Sequence, residues 1–423
     1  MLPFVCDIAL SGLLGWAYSG GSEWGLAVSI LAPAIWMRQM SRQNCFLCVI
    51  AYYFAALHCL PVVSRNFFGP KAGFLQGLCL WLIAGVLLSL PWLWGWTRSK
   101  EAILWRCPTV LLLSIIPPVG LIAWASPVTA AGLLFPATRF FGLALTLLLP
   151  ALLIISAQRT VLIGTACVFI CHACAGRPPL PPRKWETVDT RFGAIAHAPI
   201  DPIREYEAAE TIQSRAVLSI ARVIVFPEAV VSSWTETTDL FWQQTLAELS
   251  ASGKTVLVGA TVPDVTANSQ ASAAQIGNYD FTETIAAIRS IRTDAAKPAP
   301  AMSFDSIPYR NAVLIRGVET GEFHQRIPVP IGMWRPFSGG GVPLNLFGRG
   351  TVRINHERAA IVICYEQLLP WPVLTSMLER PTLLLGVAND CWVKGTAIAR
   401  LQAVSVRAWA RLFQIPALLA TNR

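Results

Sequence analysis

The stretch Ala359-Ala-Ile-Val-Ile-Cys-Tyr-Glu-Gln367 decides how this chain is read. Its short apolar run is too brief for an ordinary helix and reads as a strand buried on both faces. A reactive side chain where such a strand leaves its sheet is fixed by the strand and opened to solvent by the loop. Cys364 stands at that point. Upstream, Arg222–Phe226 followed by Pro227 and Glu228 repeats the arrangement. A thiol attacks as the thiolate and so needs a base or a positive field beside it. A carboxylate in a partly desolvated cleft has a raised pKa and can be that base. The same pattern also describes a buried structural cysteine and a turn glutamate, and pattern alone leaves both open.

Around these two strands the remaining C-terminal half alternates. Strands are expected at Arg191–His197, Lys254–Val262, Tyr309–Gly317, Phe323–Val329 and Thr382–Ala388. Helices are expected at Ile203–Ile220, Thr238–Ser250 and Pro372–Glu379, and residues 338–350 form a Gly-rich loop. Residues 265–305 are rich in Ala, Ser, Asp and Thr and show little apolar periodicity. Such alternation predicts a layered α/β domain.

The N-terminal part has a different composition. The 423 residues are 54% hydrophobic and 13% charged, against roughly a quarter charged in a soluble domain. Residues 1–176 hold three acidic side chains, Asp7, Glu23 and Glu101, and the other 21 follow. Crossing a hydrocarbon core of roughly 30 Å takes about 20 residues. Apolar windows lie near 2–18, 24–37, 45–64, 73–96, 104–125, 139–156 and 160–176, about seven spans, the second short enough to be re-entrant. Trp24, Trp36, Trp92, Trp94, Trp96, Trp105 and Trp124 gather at segment ends, as in an interfacial aromatic belt. The first window has no basic flank and carries Asp7, so it is expected to be retained rather than cleaved. Lys and Arg number six in the even loops against three in the odd ones. By the positive-inside rule that puts the C-terminal domain outside, in the periplasm of a bacterial inner membrane. The expected division is a helical membrane domain over 1–176, a proline-rich linker over 177–186, and a globular domain over 187–423.

The net charge of +9 does not indicate nucleic acid, because the basic residues are scattered singly. Nine of eleven cysteines lie in the apolar part. Cys45 and Cys48 form CxxC, and Cys171, His172 and Cys174 form CHxC, which is not the CxxCH of haem attachment. They read as small apolar residues inside apolar helices. No metal and no cofactor is expected.

The motifs FPEAVV around Glu228, VICYEQ around Cys364 and VANDCW at 387–392 resemble the nitrilase (carbon–nitrogen hydrolase) superfamily. With YRNAVLIRG at 309–317, VPIGMWRP at 329–336, LQAVSVRA at 401–408, PALLATN at 416–422 and the apolar segments ahead, the order resembles its apolipoprotein N-acyltransferase branch. RIPVPIGMWRPF and SPVTAAGLLFP at 126–136 look closer still to the plasmid conjugal transfer TraB family. The resemblance covers essentially the whole chain. It implies a multi-pass helical membrane domain followed by an αββα sandwich. It also implies a Glu–Lys–Cys triad in which Glu228 is the base and Cys364 the acyl-carrying nucleophile. The lysine position falls on Gln325, while the neighbouring Arg326 is expected to face the other way. Met333 stands where the family has a glutamate. Tyr365, Glu366, Asn389 and Trp392 match residues that flank the substrate, and Lys394 is close enough in sequence to offer another charge. The family continues past Thr421-Asn422 with a hairpin and, in the acyltransferases, a further span, so this domain is expected to be C-terminally short.

The implied function is thiol-dependent acyl transfer or amide hydrolysis. A membrane lipid is the acyl donor, and an envelope or conjugation-apparatus protein is the amine acceptor. The alternative from another class is a pseudoenzyme that serves the conjugation apparatus as a scaffold. A whole-cell lipoprotein acyltransferase is the weaker third reading, since both departures, Gln325 and Met333, fall among that branch's working residues.

Overall fold

The computed structural model describes residues 2–69, 73–193, 202–264, 308–337 and 340–423. The apolar windows lie on α1 (Leu2–Ser19), α2 (Glu23–Val28) with α3 (Ala32–Met37), α4 (Arg42–Ala56) with α5 (Leu60–Phe68), α6 (Gly73–Gly95), α7 (Lys100–Ile115), the short α8 (Ala131–Leu134), α9 (Phe140–Ile155) and α10 (Ala157–Ala175). Serines open several of them: the hydroxyls of Ser22, Ser41 and Ser99 accept from Gly25, Asn44 and Ala102, satisfying donors that a helix start leaves unpaired. One window departs from expectation. The helix expected over 104–125 stops at Ile115, because Pro117 and Pro118 have no N–H to continue the ladder, and a 3₁₀ turn at Val119–Leu121 follows.

Among the described residues, α6 and α10 are long and apolar enough to cross a membrane, and α4–α5, bent by 45°, makes a third if counted as one span. Across the N-terminal helices, Leu13 and Trp16 of α1, Leu75 and Ile83 of α6, Phe141 of α9 and Leu162 and Phe169 of α10 are exposed. An apolar surface of that extent is foreign to a protein surrounded by water.

The second half holds two sheets. β1 (Trp185–Thr187), β2 (Val223–Val225), β3 (Thr255–Pro263), β4 (Tyr309–Gly317) and β5 (Gly321–His324) form the first, in that order. β1 to β3 are parallel, and β4 and β5 are antiparallel. β6 (Thr351–Ile354), β7 (Glu357–Ile363), β8 (Leu383–Asn389) and β9 (Ala417–Asn422) form the second, with β7 to β9 parallel. Alternate residues of a strand face opposite ways, and here both faces are buried. Val223, Val225, Leu257 and Val313 of the first sheet meet Ile361, Ile363, Leu385 and Val387 of the second. On the first sheet's other face, Ile224, Val256 and Leu314 pack under Ile212 of α11 (Pro202–Leu218) and Trp242 of α12 (Glu236–Ala251). On the second sheet's other face, Ala360, Val362 and Leu384 pack under Val373 of α13 (Pro370–Leu378) and Trp409 of α14 (Ile398–Phe413). The layers are therefore helix, sheet, sheet, helix.

That last core does not end at α14. It runs on into Trp36, Tyr52, Trp92 and Leu111 of the N-terminal helices, so one apolar cluster spans both halves. Gly132 in α8 shows how close the approach is, since a Cβ there would sit 1.6 Å from the Ala408 carbonyl oxygen. Each large side chain buried this way contributes roughly 1.5–3 kcal/mol.

Three further boundaries differ from expectation. The first sheet begins at Trp185, inside the expected linker, because the Lys184 carbonyl accepts from Arg222 and Val223. Of the strand expected at Arg191–His197, residues 191–193 are irregular and the rest lies outside the described residues, as does all of 265–305. The strand expected at Phe323–Val329 ends at His324. Glu366 takes the N–H groups of Arg326 and Ile327 at 2.8 and 3.0 Å, leaving them none for a ladder.

Candidate active site

Glu228 and Cys364 come together where β2 and β7 leave their sheets. Both turns use left-handed backbone at a non-glycine residue: Ala229 at φ +50° and Cys364 at φ +50°. Such residues cost on the order of 1–3 kcal/mol and persist only where their surroundings hold them. At Cys364 the holders are visible. Glu366 accepts the Ile363 N–H at 2.9 Å, and Gln402 of α14 donates its amide to the Cys364 carbonyl at 3.0 Å. Beside Glu228, β3 passes so near that a Cβ on Gly259 would lie 2.5 Å from the Glu228 Cα.

The Glu228 carboxylate is 5% exposed and lies within hydrogen-bonding reach of the Cys364 thiol. One of its oxygens accepts from the Asn311 side chain at 2.6 Å, and the other accepts the Asn389 N–H at 2.9 Å. Burial pushes this carboxyl up to about 7, and the charge of Asp390 adds to the rise. The hydrogen bonds from Cys364, Asn311 and the Asn389 backbone oppose it. Burial, and then the facing charge of Glu228, hold the Cys364 thiol well above its ordinary range; a hydrogen bond with Trp392 works the other way. Burial also raises Asp390 to about 6. The pair therefore rests as a neutral thiol beside a carboxyl that is half ionised near neutral pH.

Gln325, at the position expected for a lysine, is 2% exposed. Its carbonyl accepts from the same Asn311 amide at 3.0 Å, and its own amide donates to the Ile363 carbonyl at 3.2 Å. Asn311 thus links Gln325 to Glu228. The adjacent Arg326 points elsewhere: it is buried against Glu366 at 3.5 Å and lies over the Phe323 ring. Lys394 is exposed, and its carbonyl accepts from Asn66.

The expected flanking residues separate into two groups. Trp392 and Tyr365 line an apolar cleft together with Val63 and Phe67 of α5, Leu80 of α6 and Val329. The Tyr365 hydroxyl donates to the Leu121 carbonyl at 2.8 Å, tying the residue after the thiol to the N-terminal half. Asn389 gives its N–H to Glu228, and its side chain accepts from Cys391. Glu366, expected beside the substrate, is fully buried, and three backbone N–H groups and Arg326 occupy its carboxylate, so it braces the turn. Asn311 and Gln402 were not anticipated. A polar Asn in the otherwise apolar run of YRNAVLIRG was the available signal for the first, because a buried amide demands partners.

Among the described residues no group of three or more His, Cys, Asp or Glu side chains could hold a metal ion.

No protein-family model matches the chain. It is 28% identical to the probable conjugal transfer protein TraB of Sinorhizobium fredii over 418 residues, covering 97% of this chain and 95% of the relative. It is 30% identical to the conjugal transfer protein TraB of Agrobacterium fabrum over 436 residues, covering 97% of this chain and 90% of the relative. Among solved structures, an amidase of Nesterenkonia is similar with a TM-score of 0.33 and 9% identity, over 58% of this chain and 79% of that one. A form of that amidase described as from the nitrilase superfamily gives a TM-score of 0.31 and 10% identity over the same shares. Those two likenesses are too shallow to bear on function.

Proposed function

The chain belongs to the family of the conjugal transfer protein TraB, and from that premise we propose that it is a multi-pass inner-membrane thiol acyltransferase or amide hydrolase of the conjugation machinery. The observation that carries this reading is the buried Glu228–Cys364 pair, in which a carboxyl near 7 faces a thiol that needs a base. In the reaction, Cys364 sulfur bonds to the carbonyl carbon of the donor while its proton passes to Glu228. The bond from that carbon to the leaving oxygen or nitrogen breaks, and the leaving group takes the proton back. A thioester remains on Cys364. An amine, or water, then attacks the thioester carbon, gives a proton to Glu228 and restores the thiol. Gln325 uses one amide hydrogen on Ile363 and has a second for the developing oxyanion. A lost oxyanion donor typically costs on the order of 3 kcal/mol.

The donor is a membrane lipid. The apolar cleft beside the thiol is built partly from α5 and α6, where an acyl chain meets surfaces of its own kind. The acceptor is an amine on an envelope or conjugation-apparatus protein. With seven spans, the excess of Lys and Arg in the even loops, six against three, favours a periplasmic α/β domain. A reporter fused after Arg423 that works only in the cytoplasm overturns that placement.

One observation favours the scaffold alternative: the position expected for a lysine holds neutral Gln325, whose amide is already bonded to Asn311 and Ile363. The test is covalent labelling of the full-length protein by a thiol probe at pH 8, read by mass spectrometry. Labelling of Cys364 that is lost in Glu228→Gln supports the enzyme, and an accompanying acyl adduct identifies the donor. Failure of Cys364 to label in the folded protein, when it labels once the chain is denatured, favours the scaffold.

A further inference from the structure

The loop that carries Trp392 is held from the other half of the molecule. After β8 the chain makes a 3₁₀ turn, Asp390–Val393, whose final carbonyls have no partner within the turn. The Val393 carbonyl is satisfied locally by the N–H and hydroxyl of Thr396. Those of Trp392 and Lys394 are not. Both accept from one side-chain amide, that of Asn66 in α5, at 3.2 and 2.9 Å. Two hydrogens on one nitrogen thus cap two carbonyls across the boundary between the halves. Gly395 follows at φ +80° with nothing within 4 Å of the place a side chain would fill, so the loop has no packing of its own there. One turn before Asn66, Val63 lines the cleft beside Trp392, and after it the Phe67 ring lies against Gly332, so α5 is seated between both rim loops.

We propose that Asn66 is a positioning residue that sets the pose of the Trp392 indole on the Cys364 thiol, so that the reactivity of the thiol answers to where α5 sits. The inference rests on Cys364 being a nucleophile. Trp392 packs against the buried cluster that holds Cys364 and eases ionisation of the thiol, whereas Glu228 and Asp390 both oppose it. Among the described residues the indole favours the thiolate where the two carboxylates oppose it, so an indole moved off the sulfur has a predictable sign. In the bilayer, a lipid entering between α5 and α6 would move α5, and the loop with it.

The experiment measures the rate at which iodoacetamide alkylates Cys364 in the full-length protein in detergent, from pH 6 to 10, by mass spectrometry of its peptide. In Asn66→Ala the rate at pH 8 is expected to fall roughly tenfold, the equivalent of about one unit in the ionisation of the thiol. In a Trp392→Phe background, adding Asn66→Ala is expected to change nothing further, since both act through one contact. Tyr365 still binds Leu121 and the shared apolar core still joins the halves, so docking survives the substitution. Should Asn66→Ala fail to accumulate, Asn66→Ser makes the same test with a small polar side chain. An unchanged rate at pH 8, or effects that add in the double variant, overturns the proposal. A Cys364 that labels in a Glu228-dependent way but ignores Asn66 leaves the enzyme reading standing. A wild-type Cys364 that never labels removes both.

Discussion

Glu228 and Glu366 are the same residue type, both buried, and each sits at or just past the end of a parallel strand; they are held in different ways. Glu366 has Arg326 against it and three backbone N–H groups aimed at its oxygens. Glu228 has one side-chain amide and one N–H, with a thiol rather than a cation in front of it. A buried charge that is fully paired becomes part of the frame. A buried charge left short of partners stays near its ionisation point, which is where a base must be. The neighbours, more than the carboxylate, decide which of the two is poised to act as a base.

The sharpest way to break this comparison is to remove each carboxylate in turn. Glu366→Ala strands Arg326 in the interior and is expected to cost about 3–5 kcal/mol, read as a lower unfolding midpoint. Glu228→Gln is expected to leave stability at pH 7 within about 1 kcal/mol of wild type or above it, and to slow Cys364 labelling roughly a hundredfold or more. Equal destabilisation by both would erase the distinction.

pH sharpens it further. The Glu228 carboxyl moves from 4.5 to about 7 on folding, so the folded state favours the protonated form. Its contribution to stability is complete below pH 4.5 and is lost as pH rises through 7. The full span is about 3 kcal/mol. Unfolding midpoints at pH 5 and pH 8 should therefore differ more for wild type than for Glu228→Gln. Labelling has the opposite slope, since only the carboxylate can take the proton, and should climb between pH 6 and 8. A flat profile would mean that the carboxyl is not the base.

Gln325 comes next in size. Gln325→Ala is expected to slow turnover roughly tenfold by removing a neutral oxyanion donor. Gln325→Lys sets a cation beside both groups and should move the labelling midpoint down. If the alanine variant labels and turns over normally, Gln325 only supports Asn311.

The smallest effect concerns residues 177–184, which are irregular and mostly exposed. Taken alone, their prolines suggest that cleavage there frees a soluble domain. The apolar core shared by α14 and the N-terminal helices leads to a different expectation: the two pieces stay together on a gel filtration column in mild detergent.

These contrasts show what the chain discloses before it folds. Glu228 and Cys364 were legible because a strand buried on both faces is an unbroken apolar run, so the polar residue ending it stands out. Helices α11, α12 and α13 were legible within a few residues for the same reason of pattern. The role of Glu366 was not, because it depends on which N–H groups a distant loop turns inward. That choice also ended β5 at His324, where alternation alone continues the strand. Asn311 reaches Glu228 only through the antiparallel register that sets Ala260 against Ala312 across β3 and β4, and no local periodicity encodes a register. The break after Ile115 could have been read from Pro117 and Pro118.

The bond from the Tyr365 hydroxyl to the Leu121 carbonyl joins residues 244 apart in the chain. At a synthesis rate of about 5–20 residues per second, roughly 12–50 s separate the appearance of one partner from the other. During that interval the N-terminal helices are made but the seat for α14 is empty, its apolar side chains turned toward a neighbour that does not yet exist. Long-range pairing of this kind folds slowly and leaves adhesive surface uncovered while it waits. The helical half is thus a vacant dock for roughly 12–50 s of each molecule's making.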